Sequence, residues 1–310
     1  MSKWFSDEAV LARMPRAEAA ERLEAIGEND VALALQSSPS HIGARATSYG
    51  LSDFFSGKAK PWMHSTHVFG FLPIAKPTDG EQEIFPPGEI NPDLSLKNRR
   101  INITLNRLRI AEYPGRGRRQ VLFDFSAQNQ LPTGAEDAHF NMTFRADDNA
   151  LVGITNYPVF IGLHVGNQSA MLRCYTVNVQ NDQDEALLAS LDSEVFKKGL
   201  KLAEVAQPAL VPLAELAVGL TKAVASRHKN VPVQNIQMGL DFGGPRLGAR
   251  LAQGDYIAVQ VPYDVLRAWD WADYKLDPRV GEIVHKDGSP ISYNYFAFGV
   301  SAYGDGDSNG

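Results

Sequence analysis

Two long stretches of this 310-residue chain, 100–182 and 231–303, alternate apolar with polar side chains, and a stretch of different periodicity, 184–229, lies between them. Alternation with period two marks a strand with one buried face, whereas apolar residues three and four apart mark one face of a helix. Leu187, Leu188, Leu191, Val195, Leu202 and Val205 keep helical spacing across 186–206. Pro208 and Pro212 should interrupt that helix or restart it. Leu213, Leu216, Val218, Leu220 and Val224 carry a second helix, and Arg227, His228 and Lys229 suit its negative C-terminal end. The pattern predicts a mainly β fold split by a two-helix insertion at 184–229.

The strands begin near Arg100, where Ile101, Ile103, Leu105 and Leu108 alternate imperfectly with Asn102, Thr104 and Asn106. Further strands are expected at 121–125, 140–144, 150–155, 158–164, 170–179, 233–242, 256–261 and 293–300. Pro114-Gly115-Arg116-Gly117, Asp147-Asp148-Asn149, Gly243-Gly244-Pro245 and Gly254-Asp255 read as turns between them. In 170–179, Met171, Arg173, Tyr175, Val177 and Val179 share one side, which sends Cys174 inward on the other. Eight to ten short strands with turns between them predict an antiparallel β-sandwich. The layout, with polar loops at one end, resembles a C2-type sandwich.

Ahead of it, 6–36 reads as a helical arm. Ser6 is a plausible N-cap, Pro15 starts a second helix with Ala19, Ala20, Leu23 and Ile26 as its stripe, and Gly27 ends it. The Ser-, Gly- and Pro-rich segment 37–98 is expected to be irregular, with a buried aromatic piece at 62–72. The expected organisation is therefore an arm and cover over 1–98, a sandwich with its insertion over 99–303, and a disordered tail at 304–310.

With 44% hydrophobic and 21% charged residues the chain is suited to a folded globular state. A net charge of −6 argues against a general nucleic-acid binder, which needs a basic excess to neutralise phosphates. Cys174 is the single cysteine, so no intramolecular disulfide forms. The first eight residues lack the apolar core of a signal peptide, and no apolar run reaches 18 residues, so no transmembrane segment is expected and the cytoplasm is the expected compartment.

Several groups carry candidate chemistry. His64 and His67, three apart, face one metal if their segment is helical or turned, and a zinc ion would draw further ligands from His41, Asp53 or His139. Asp147, Asp148, Asp182 and Asp184, with Glu185, lie at strand ends where calcium collects carboxylates, or where Asp182, Asp184 and Glu185 favour the start of the next helix. Arg116, Arg118 and Arg119 form a hairpin tip suited to a phosphate or to water. Trp269 and Trp271 form a binding platform or clamp a loop over the core. No Gly-x-Ser-x-Gly elbow, His-Glu-x-x-His helix or P-loop occurs.

The expected function is therefore non-catalytic: a cytoplasmic interaction or effector protein that binds a protein partner, or itself, through the insertion and adjacent loops. The alternatives are a metal-dependent hydrolase using His64 and His67, and a protein attached peripherally to membranes through calcium or phosphate.

Overall fold

The computed structural model describes residues 9–37, 59–74, 80–115, 117, 119–132, 134–167, 169–181, 183–184, 188, 199–202, 207–243 and 248–304. In chain order the elements are α1 (Arg16–Ala25), α2 (Asn29–Ser37), β1 (Thr66–Pro73), β2 (Gln82–Glu83), β3 (Arg100–Ile110), β4 (Arg119–Leu131), β5 (Gly134–Ala146), β6 (Ala150–Val152), β7 (Tyr157–His164), β8 (Ser169–Val179) and β9 (Leu200–Lys201). They continue with α3 (Gln207–Ala225), β10 (Val231–Asp241), β11 (Gly248–Arg250), β12 (Gly254–Val261), α4 (Tyr263–Ala268), β13 (Tyr274–Asp277), β14 (Glu282–His285) and β15 (Tyr295–Ala302).

The protein is mainly β, an antiparallel sandwich with helical parts. One sheet runs β1-β12-β15-β3-β7-β9, with β6 also on β3; the facing sheet runs β11-β10-β8-β4-β5. Their inner faces bury the rings of Phe123, Phe125 and Phe296, which meet at centroid separations of 5.8–6.2 Å. Each such side chain contributes roughly 1.5–3 kcal/mol by leaving water. The central strands β8 and β12 carry apolar side chains on both faces, so each sheet also needs cover outside. On the larger sheet that cover is the small sheet β14-β13-β2, packed on Ile257, Val259, Val261 and Tyr295 through Ile84, Leu276 and Ile283. On the five-stranded sheet, Leu122, Tyr175, Val177 and Val179 are roofed by Val224 and Ala225 of α3 and by Leu188. Cys174 points the other way, into the main core, as its alternation with Tyr175 predicts.

The insertion is pinned at both ends by Asn230. Its Nδ2 donates to Asp184 Oδ2 at 2.6 Å and to Val224 O at 2.8 Å, while its Oδ1 accepts from the N–H groups of Gln180 and Asn181. Arg22 of α1 donates to the carbonyls of Ala225 and Asn230, tying the N-terminal arm to the same corner. Pro15 precedes α1 and Gly27, with a φ of 81°, follows it, as expected; Ser6 lies outside the described residues.

At several elements the structure departs from the sequence expectation. Segment 37–98, expected to be irregular, contains β1, hydrogen-bonded along its whole length to β12. Gly254 and Asp255, expected to turn, open β12. Leu200 and Lys201, expected inside a helix, form a short parallel strand on β7, because Gly199 at a φ of 71° breaks the backbone and β7 offers an unpaired edge. Helix α3 runs through Pro212, which lies inside the helix beyond its first turn and removes one backbone hydrogen bond to the preceding turn without ending it. Among the described residues no helix is long and apolar enough to cross a membrane. Most of 304–310 lies outside the described residues.

A candidate binding cleft

The imperfect alternation at the start of the sandwich has a structural cause. Ile101, Ile103, Leu105, Leu108 and Ile110 are all buried, yet Leu105 and Leu108 are three apart. The ladder between β3 and β15 slips there: Leu105 pairs with Phe298 and Arg107 with Ala297, leaving Asn106 as an extra residue. Such a bulge resets the side-chain alternation and re-aims the residues around it. Here it gathers Thr104, Asn106 and Arg107 on the outer side of the larger sheet, beside Asp255 of β12.

Between them in the sheet stands Gly299 of β15, opposite Asp255 on one side and Thr104 on the other. The side chains meet across this bare position. Thr104 Oγ1 donates to Asn106 Oδ1 at 2.7 Å, Asn106 Nδ2 donates to Asp255 Oδ1 at 2.6 Å, and an Arg107 guanidinium N–H donates to Asp255 Oδ2. A Cβ on Gly299 would stand 2.5 Å from Asn106 Nδ2 and 2.7 Å from Thr104 Oγ1, so only glycine admits the cluster. Arg107 and Asp255 remain 22% and 21% exposed. An ion pair that accessible contributes about 0–1 kcal/mol to stability, so its consequence is to hold polar groups in place rather than to hold the fold together.

This cluster floors a cleft of about 920 Å³. One wall is the end of β1 with Leu72, Pro73 and Ile74; another is the β6–β7 connection through Ile154, Thr155 and Asn156; the third is the small sheet, through Gln82, Leu276, Pro278 and Val280. Ile74 and Val280 stand exposed on its margin. Apolar walls around a few fixed polar groups are the usual form of a ligand site, and the volume falls within the ordinary range of about 300–1,000 Å³. The cluster offers fixed donors and acceptors that orient a polar ligand. Gly254-Asp255 reads as a turn in the sequence and Gly299 does not stand out there; the break in alternation at Asn106 is the signal that marks the floor.

The side chains singled out from sequence are spread over the molecule. His64 and His67 lie on an extended segment, which departs from the helix or turn their metal reading requires, and residues three apart on an extended chain fall on opposite sides. Desolvation lowers His64 to about 4 and His67 to about 3, so both are neutral near pH 7. His139 is engaged elsewhere, with Asp124; His41 and Asp53 lie outside the described residues. Among the described residues no three His, Cys, Asp or Glu side chains converge on a metal position.

Asp147 and Asp148 are exposed in the turn after β5. Asp184 is fully buried, with Oδ1 2.9 Å from Arg227 Nε and Oδ2 held by Asn230; Asp182 and Glu185 lie outside the described residues. Arg119 opens β4, while Arg116 and Arg118 lie outside the described residues. Trp271 clamps the core: it is buried, its Nε1 donates to Phe69 O at 2.7 Å, and its ring occupies the space where a Cβ on Gly70 would be. Trp269 is turned from it by 71° and stacks on Tyr274 at 4.4 Å.

A second polar cluster, also unforeseen, lies beneath α3. Asp124 Oδ2 accepts from Thr221 Oγ1 at 2.7 Å, Asn141 Nδ2 donates to the same Thr221 oxygen at 2.7 Å, and His139 Nδ1 lies 3.3 Å from Asp124 Oδ1. Desolvation pushes the Asp124 carboxyl above the usual carboxylate range, against the pull of the His139, Thr221 and Asn141 contacts. All four side chains are buried, so the cluster serves as the polar seat of the helix. No protein-family model, curated protein or solved structure matches this chain.

Proposed function

We propose that this chain is a non-catalytic recognition protein that holds its ligand in the cleft beneath β1, the β6–β7 connection and the small sheet. The observation that carries this reading is the floor. A bulge and a bare glycine position bring together four interlocked side chains, whose exposed ion pair contributes little to stability, and these present ordered donors and acceptors inside an apolar-walled cleft. Thermal-shift screening of the full chain against a chemically diverse fragment set tests it. Val280→Arg, at an exposed margin position, leaves the unfolding midpoint alone and abolishes the shifts produced by cleft ligands. Fragment shifts that are the same in wild type and variant contradict the reading.

A second reading keeps the partner surface on the insertion, as a cytoplasmic interaction or effector protein binding another protein or itself. It is favoured by the outer side of α3, where Leu213 and Leu216 are 42% and 63% exposed. Removing 184–229 is a poor test, because α3 roofs the five-stranded sheet and its loss would strip that face. Leu213→Glu with Leu216→Glu leaves the roof in place. Loss of pull-down or of self-association in that variant supports the reading, and unchanged association removes it.

A further inference from the structure

We infer that the ligand of the cleft is an uncharged, aliphatic segment of polypeptide bound in extended form; this rests on the cleft being the ligand site.

Charge is the first argument. Among the described residues, Arg107 and Asp255 are the only charged side chains lining the cleft, and they are paired with each other. An anionic ligand would have to draw Arg107 away from Asp255, and a cationic one would have to draw Asp255 away from Arg107. Either exchange leaves a partly desolvated charge without its partner, which offsets the new contact. A neutral ligand keeps the pair intact.

Hydrogen bonding is the second. Gln82, Thr104, Asn106, Thr155, Asn156 and Ser301 line the cleft with neutral groups that both donate and accept. A polypeptide backbone presents one N–H and one C=O per residue, and unpaired backbone groups are costly to bury without such partners. Wall chemistry is the third. Leu72, Ile74, Ile154, Leu276 and Val280 are aliphatic, and none of the described lining residues is Phe, Tyr or Trp. Nucleobases and other flat rings draw much of their affinity from stacking on an aromatic platform, which these walls lack. Aliphatic side chains alternating along an extended segment match walls of this kind, with main-chain hydrogen bonds providing affinity and side-chain pockets specificity.

A phage-displayed random heptapeptide library panned on the full chain tests the inference. Enriched peptides should be rich in Leu, Ile and Val and poor in Asp, Glu, Lys and Arg. They should bind at least tenfold more weakly to Ile74→Arg and to Val280→Arg, both exposed positions, with unfolding midpoints unchanged. Enrichment of charged or aromatic peptides, or equal binding to wild type and variants, overturns the inference. A panel of neutral oligosaccharides and nucleosides runs in parallel. If those probes bind in an Ile74-dependent manner and peptides do not, the cleft remains the site and the peptide class is wrong. If no probe distinguishes wild type from the variants, both the class and the cleft reading fall.

Discussion

Thr221 is where the attachment of α3 to the sandwich is most open to measurement. It is fully buried, and its hydroxyl oxygen lies 2.7 Å from Asp124 Oδ2 and 3.1 Å from the carbonyl oxygen of Ala217. The same oxygen accepts from Asn141 Nδ2 at 2.7 Å. Thr221→Val preserves shape and deletes both contacts, leaving one acceptor on Asp124 and one N–H on Asn141 without their partner. A buried polar group stripped of its partner costs about 1–3 kcal/mol, and two of them set an expected loss of roughly 2–4 kcal/mol. The estimate stays below the sum of the upper values because desolvation already weakens the charged form of Asp124 in the fold, against the pull of its His139, Thr221 and Asn141 contacts. Urea unfolding of the full chain reads this as a lower midpoint at constant slope. Thr221→Ser, which keeps the hydroxyl, should lose about 1 kcal/mol or less, the worth of one buried methyl. A double-mutant cycle with Asn141→Leu should return a coupling of about 0.5–3 kcal/mol. A Thr221→Val loss below about 0.5 kcal/mol, no larger than a neutral surface change, would refute the claim that this polar seat holds the helix.

Acidification should destabilise the fold before the carboxylates titrate. His64 and His67 are held at about 4 and about 3 in the fold, and the unfolded chain takes up those protons near its ordinary value, so stability present above about 6.5 is lost as pH falls toward the folded values. The slope approaches about 1.4 kcal/mol per pH unit for each histidine; urea midpoints between pH 7 and 5 measure it, and a flat profile excludes buried neutral histidines. Gly299→Ala drives a methyl against Asn106 and Thr104, so it should lower the unfolding midpoint and disorder the cleft floor, seen as shifted Asn106 side-chain amide resonances. An unshifted resonance would show that the floor has room for the methyl. Trp271→Ala removes the ring packed over Gly70 and leaves Phe69 O without its donor, an expected loss of about 3–5 kcal/mol with the near-ultraviolet dichroism of the Trp269 and Tyr274 cluster reduced. A loss under about 1 kcal/mol would mean the clamp is ornamental.

Some features were legible because they depend on neighbours along the chain. The inward thiol of Cys174 and the ends of α1 at Pro15 and Gly27 follow from alternation or from local backbone preference, whereas Tyr175, Val177 and Val179, on the opposite side of the same strand, are buried only because α3 and Leu188 cover them. The pair His64 and His67 misled for the same reason. Spacing of three has metal-binding meaning only on a helix or turn, and pairing with β12 extends that segment instead. Leu200 and Lys201 read as helical until a partner edge on β7 is available.

Residue order alone dictated a two-sided β core and an apolar helix to cover it, since both arise from periodicities that a few consecutive side chains impose. The cleft belongs to the fold. Thr104 and Asp255 are 151 residues apart in number and become neighbours only because Gly299, from a third strand, lies between them in the sheet. The seat of α3 is likewise assembled from β4, β5 and the helix. Contacts of that range are set by which strands pair and in what register, and pairing is settled by burial over the whole molecule rather than by any local stretch.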